Sequence, residues 1–100
     1  MIEITEIGNV SERVAGRAKA CFVRRLAVDR FVVTPRQFSK TRRLITFDLR
    51  PGGRMLASCV DFYNPDEPCP ANYHGLLCGH VLKAVQHAMR LAHRHEQKAA

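Results

Sequence analysis

Several features are scarce or missing in this sequence, and each absence limits the core or argues against a class of protein. It has no tryptophan, and only five Phe and two Tyr are available to fill a core. No apolar run approaches the roughly 20 residues that a membrane helix needs, and the start carries Glu3 and Glu6 where a secretion signal would be basic. One hundred residues suit one domain. We therefore expect a single domain over residues 1–100, with a thin core, no membrane association and a cytoplasmic location.

Lysine and arginine are absent from Met55 to Leu82 but abundant before this segment. The chain has 16 Lys+Arg against 9 Asp+Glu, a formal net charge of +7, and residues 13–54 hold most of the bases with only Asp29 and Asp48 as acids. Concentrated positive charge attracts anionic partners and favours nucleic acid. For any single arginine, a solvated surface is the simpler explanation.

Two helices are predicted at opposite ends of the chain. Asn9 and Glu12 have the spacing of a capping box, and the apolar residues that follow predict a first helix over about 11–22. A second helix is predicted over about 79–95, with an apolar stripe formed by Val81, Leu82, Val85, Ala88, Met89 and Ala92. Its opposite face carries Lys83, His87, Arg90, Arg94 and Gln97.

Between the helices, the pattern predicts a three-stranded antiparallel sheet. Residues 31–34 are β-branched or aromatic and precede Pro35, which indicates a short edge strand. Apolar residues alternate over 45–49, and a Pro-Gly-Gly turn at 51–53 leads into a returning strand over 55–60. The predicted fold class is therefore α+β, with an N-terminal helix, a sheet that includes a hairpin, and a C-terminal helix.

Three cysteines and one histidine, the first of them delivered by the hairpin, have spacings that suit a metal site: Cys59, Cys69, Cys78 and His80. The first ends a strand, the second lies in a loop with three prolines, and the last pair starts a helix. Three thiolates and an imidazole form a standard tetrahedral zinc set, and a reducing cytoplasm makes disulfides the less favoured interpretation. We predict one structural Zn²⁺, within a zinc module over about 42–96. Cys21 is expected to pack in the core.

The segment from Cys78 to Val85 resembles the end of a SWIM-type zinc finger, whose pattern is CxC, a variable spacer, and CxH before an apolar helix. The segment from Ser58 to Phe62 is similar to the other half, in which x-Asp-Phe often follows the second cysteine. The resemblance covers roughly residues 11–92. It implies a zinc-stabilised module that binds DNA or protein.

The chain departs from the SWIM pattern at its first ligand. The first Cys of CxC falls at Ala57, which cannot bind metal. Cys69, inside the variable spacer, is the natural substitute because it restores three thiolates and one imidazole. His74 is the rival fourth ligand, since it lies in the same loop six residues before His80.

The function predicted is that of a non-enzymatic zinc module, because four protein ligands leave no open position for substrate and no other catalytic group is evident. We expect it to bind nucleic acid, most simply DNA, and no small-molecule substrate. The candidate contact residues are Arg36, Lys40, Arg42, Arg43, Lys83, Arg90 and Arg94, and Phe38 could stack on a base. The alternative is a protein-interaction adaptor in a DNA-processing or mobile-element complex.

Overall fold

The computed structural model shows a five-stranded antiparallel sheet with a long helix packed on one face. The structure describes residues 2–4, 8, 10–36 and 41–99, with side chains left out at 93 and 95–99. The strands are β1 (Ile2–Glu3), β2 (Cys21–Ala27), β3 (Arg30–Pro35), β4 (Arg43–Arg50) and β5 (Arg54–Asp61). The helices are α1 (Glu12–Lys19), α2 (Pro70–Tyr73) and α3 (Gly79–Ala99). The sheet order is β1-β5-β4-β3-β2. The two long predicted helices and the antiparallel sheet are present, but the predicted number of three strands was too small.

The first helix is shorter than predicted. Ser11 is its N-cap, with a hydroxyl that accepts a hydrogen bond from the backbone N–H of Val14 at 3.2 Å; the predicted cap, Asn9, lies outside the described residues. The helix ends at Lys19, and Cys21 already belongs to β2. The prediction over 11–22 was wrong at this end because strand pairing with β3 outweighs an apolar spacing that also suits a helix.

β3 is an interior strand rather than the predicted edge. It pairs with β2 on one side and β4 on the other. Pro35 is tolerated because it is the last residue of the strand, where it pairs with Cys21. The sheet edges are β2 and the two-residue β1.

The predicted hairpin is confirmed in β4 and β5. Its turn is formed by Pro51–Gly53, in which Gly52 and Gly53 have φ values of 81° and 75°. These left-handed conformations favour glycine over any residue with a Cβ. The register pairs Ile45 with Cys59, so the hairpin brings a potential ligand to the same side of the sheet as the core.

α3 covers one face of the sheet and begins at Gly79, as predicted, but continues to Ala99. Its buried residues are Gly79, Val81, Leu82 and Ala84, whereas Met89 and Ala92, placed in the apolar stripe by the sequence, are exposed, Met89 by 67%. The stripe is rotated because α3 packs against both the sheet and α1. No helix among the described residues is both long and apolar enough to cross a membrane.

The sheet face beneath α3 is called the inner face here. Its strands contribute the alternating buried residues Ile2, Cys21, Phe31, Val33, Ile45, Ala57 and Cys59. The opposite side of the same strands is called the open face. None of the described residues that point to the open face is buried.

Candidate metal centre and basic surface

The four predicted ligands converge where β5, the following loop and α3 meet. Cys59 lies on the inner face of β5, Cys69 precedes α2, and Cys78 and His80 flank the first residue of α3. One ligand atom from each residue lies within 4.8 Å of the ligand atoms of the other three. The three cysteines are buried and unpaired, and His80 is half-buried.

Cys69 reaches this position because the loop folds back along the end of β5. The Cys69 N–H donates to the Cys59 carbonyl at 2.9 Å, and the Asp61 N–H donates to the Glu67 carbonyl at 2.8 Å. The Asp61 carboxylate starts the loop by accepting from the backbone N–H groups of Tyr63 and Asn64. This Asx-type turn explains the aspartate after the cysteine. The proline-rich segment is a loop, as predicted, but it includes a β-bridge between Val60 and Pro68.

Cys78 and His80 are separated by a buried glycine that has no room for a side chain. A Cβ on Gly79 would lie 2.6 Å from Arg17 Cβ and 3.1 Å from the Ala18 backbone nitrogen. α1 therefore crosses directly over the start of α3. The Val81 N–H lies 3.4 Å from Cys78 Sγ and donates to it, an interaction that stabilises a thiolate.

One distance in the cluster can be compared directly with that of a tetrahedral site. Cys59 Sγ and His80 Nδ1 are 3.8 Å apart. A zinc ion with Zn–S of about 2.3 Å and Zn–N of about 2.0 Å holds such a pair roughly 3.5 Å apart, so closure requires only a small movement. The cluster can therefore hold one metal ion.

The three sulfurs perturb one another's pKa. Hydrogen bonding to Cys69, hydrogen bonding to Cys78 and burial raise the pKa of Cys59 well above its usual range. Cys69 accepts from Cys59 and from Cys78, and its pKa is lowered. For Cys78, contact with Cys59 lowers the pKa, but contact with Cys69 and burial outweigh it and raise the pKa to about 11. The lowered pKa makes Cys69 the most acidic of the three thiols, and a bound cation would stabilise all three as thiolates.

Three further positions clarify the ligand set. Ala57, where the SWIM pattern has its first cysteine, is fully buried on the inner face, and its carbonyl accepts from Asn72 Nδ2 at 3.3 Å. His74 is exposed, contacts the ring of Tyr73 and lies outside the four-residue group. Cys21 packs in the core as expected, but from β2 rather than from a helix, and its Sγ donates to the Arg17 carbonyl.

The predicted nucleic-acid contacts are distributed over separate parts of the surface. Arg36, Arg42, Arg90 and Arg94 are exposed, whereas Lys83 is half-buried and Lys40 and Phe38 lie outside the described residues. Arg43 is half-buried on the inner face, and its Nε has no hydrogen-bond partner among the described residues. The predicted polar face of α3 is interrupted, because His87 is half-buried and packs edge-on against Phe31.

Sequence reasoning missed the exposed side chains Phe22 and Arg24, which β2 presents on the open face. The run Cys21–Ala27 is predicted partly as helix, and it has no alternation of apolar and polar residues that would have indicated a strand. A strand assignment would have drawn attention to a second basic surface.

Comparisons with known proteins add no relatives: no family model, no curated protein and no solved structure matches this chain.

Proposed function

We propose that this chain is a non-enzymatic domain, stabilised by one zinc ion, that binds nucleic acid through exposed arginines. The observation that carries this proposal is the convergence of Cys59, Cys69, Cys78 and His80. Three thiolates and an imidazole suit zinc, because soft sulfur ligands and tetrahedral geometry together select it over magnesium or calcium.

The zinc is structural in this proposal. Four protein ligands complete its tetrahedron and leave no position for a reacting water. Burial of the three cysteines supports this role, because a buried ion is shielded from substrate. The ion would connect β5, the loop and α3, and would add to the backbone hydrogen bonds that already hold the loop to β5.

The same proposal treats the chain as a SWIM-like module in which Cys69 replaces the cysteine missing at position 57. Two observations support the replacement: Cys69 is hydrogen-bonded to the backbone of Cys59, and its sulfur belongs to the four-atom cluster. The rival ligand, His74, is exposed.

Elemental analysis of the purified protein tests the metal proposal. We expect one zinc per chain in the parent protein and in the Cys21→Ser and His74→Gln variants, and loss of zinc in Cys69→Ser. Cys21→Ser is the matched control, because Cys21 is also a buried cysteine but lies outside the cluster. Zinc retained by Cys69→Ser and lost by His74→Gln would identify the histidine as the ligand instead.

The nucleic-acid half of the proposal is supported by charge. The net charge is +7, and only two ion pairs, Arg50–Asp48 and Arg54–Glu3, occur among the described residues. Most exposed arginines are therefore available to phosphates. Phosphate contacts predict weak sequence preference and strong salt dependence.

Fluorescence anisotropy with labelled oligonucleotides over a salt series tests this half. We expect measurable binding at ~50 mM salt and a loss of affinity of several-fold to several-hundred-fold by ~200 mM, according to the number of phosphates contacted. Absence of binding at the lower salt concentration would contradict the proposal.

The second candidate is a protein-interaction adaptor. The observation that favours it is the exposure of Tyr63, Tyr73 and Leu76, at 66%, 74% and 62%, on the segment between β5 and α3. Exposed aromatic and aliphatic side chains are typical anchors of protein interfaces. Co-purification of a protein partner that survives nuclease and high salt, but is lost in a Tyr73→Ser variant, would favour this function.

A further inference from the structure

The open face has no helix packed on it among the described residues. α3 covers the inner face, where the buried strand residues lie. The open face consists of the alternate residues of the same strands, and all of those described are exposed or half-buried. A sheet face of this kind is accessible to a ligand across several strands.

The charge on the open face is divided between its two ends. Near the β4–β5 turn, Arg54 pairs with Glu3 at 3.2 Å and Arg50 pairs with Asp48 at 2.7 Å. At the other end, on β2 and β3 and just before β4, Arg24 and its neighbours form no ion pair with any described residue. The unpaired arginines at that end are Arg24, Arg30, Arg36 and Arg42. This half of the face is therefore positive and complementary to a polyanion.

A shallow groove of about 280 Å³ lies within the positive half. Its walls include Phe22 and Phe62 with Arg24 and Arg42, and Val32 and Thr34 lie between them. Phe22 is 59% exposed, and the Arg36 guanidinium carbon lies 4.7 Å from its ring centre. Aromatic rings and guanidinium planes surrounded by cations are surfaces on which unpaired bases stack.

We propose that the positive half of the open face binds single-stranded nucleic acid, with bases against Phe22 and the groove and phosphates on Arg24 and Arg42. This inference rests on the proposed function and specifies its ligand. The face as a whole is too broad to enter the major groove of a duplex, so it would not contact the edges of paired bases. Five strands at about 4.8 Å spacing are roughly 19 Å wide, whereas the major groove of DNA is about 12 Å wide.

The test compares binding of a single strand of about 16 nucleotides with binding of its duplex, by fluorescence anisotropy at low salt, with DNA and RNA strands in parallel. The open-face variants are Phe22→Ala, Arg24→Gln and Arg42→Gln. The matched control is Arg54→Gln, which removes the same charge from the same face but from an arginine that is paired with Glu3. Arg90→Gln tests the competing surface on α3. Zinc content and circular dichroism establish that each variant is folded.

We expect tighter binding to the single strand than to the duplex. Phe22→Ala should weaken it about tenfold. Arg24→Gln and Arg42→Gln should each reduce the slope of log affinity against log salt by about 0.7, while Arg54→Gln and Arg90→Gln change it less. Unchanged binding in folded open-face variants, with loss in Arg90→Gln, overturns this inference but leaves the proposed function intact. Absence of any binding at low salt overturns both.

Discussion

The inner and open faces of the sheet are built from alternate residues of the same strands, yet they differ in chemistry. Ile45 is fully buried on the inner face, and its neighbour Thr46 is half-exposed on the open face. The inner face includes Cys59 of the metal cluster, while the open face carries unpaired arginines. If the open face binds as proposed, stability and binding depend on alternate positions of the same strands, and substitutions on the two faces should have separable effects.

The largest expected effect is the loss of metal at the inner face. Cys78→Ser, or an excess of chelator on the parent protein, should remove a binding free energy on the order of 10 kcal/mol and unfold the segment from β5 to α3. Far-UV circular dichroism should show this as a large loss of helical signal, since α3 is the longest helix. A helical signal unaffected by chelator, in protein shown to be free of zinc, would contradict the structural role of the ion.

A smaller effect on the free energy of unfolding should distinguish the two faces at adjacent residues of β4. Ile45→Ala removes a fully buried side chain and should lower the free energy of unfolding by about 2–5 kcal/mol. Thr46→Ala, one position along β4, should cost less than about 1 kcal/mol. Urea denaturation of both zinc-loaded variants measures the difference. Equal losses in the two variants would mean that the open face is covered in solution.

The ligands could be predicted from sequence because metal coordination restricts residue types severely. Few residue types other than Cys and His form closed zinc sites, so the group Cys59, Cys69, Cys78 and His80, which the structure brings together, was identifiable from residue type and spacing. The β4–β5 hairpin was similarly identifiable, because Gly52 and Gly53 adopt positive φ values that most residues avoid. Both features depend on local chemistry.

The features that sequence did not predict correctly share one cause: each depends on contacts between residues distant in sequence. β1 has only two residues, too few for an alternating pattern, and it exists through its pairing with β5. β2 contains apolar spacings that also suit a helix, and its pairing with β3 decides the outcome. The exposure of Met89 on α3 follows from where the sheet and α1 lie, which no local pattern encodes.

The close contact between α1 and the start of α3 should make the protein sensitive to substitution at Gly79. Gly79→Ala should lower the free energy of unfolding by about 1–3 kcal/mol, because the added Cβ would approach Arg17 Cβ to 2.6 Å and force α1 to move. Gly16→Ala is the matched control, since its Cβ would meet nothing within 4 Å and alanine favours helix by up to about 1 kcal/mol. Urea denaturation should therefore give shifts of opposite sign. Two stabilising substitutions would show that the helices are not in close contact.

The smallest expected effect is the pH dependence of stability that arises from His87, which lies between the core and the basic side of α3. Burial of His87 against Phe31 lowers its pKa below the ordinary value of 6.5, and nearby positive charges lower it further. These charges belong to Arg90, Arg94, Lys83 and Arg25. The unfolded chain therefore binds the proton more readily than the folded chain. The stability that neutral His87 contributes is present above pH 6.5 and is lost as the pH falls through the lower folded value.

His87→Gln should accordingly reduce the decrease in Tm between pH ~7.5 and ~5.5 by about 1–2 °C relative to the parent protein. Any effect of pH on the candidate metal centre is common to parent and variant, so the difference between them isolates His87. His74→Gln, at an exposed histidine, should leave the decrease unchanged. An equal decrease in the parent and in His87→Gln would show that this imidazole is as well solvated in the folded protein as in the unfolded chain. His87 would then not belong to the core.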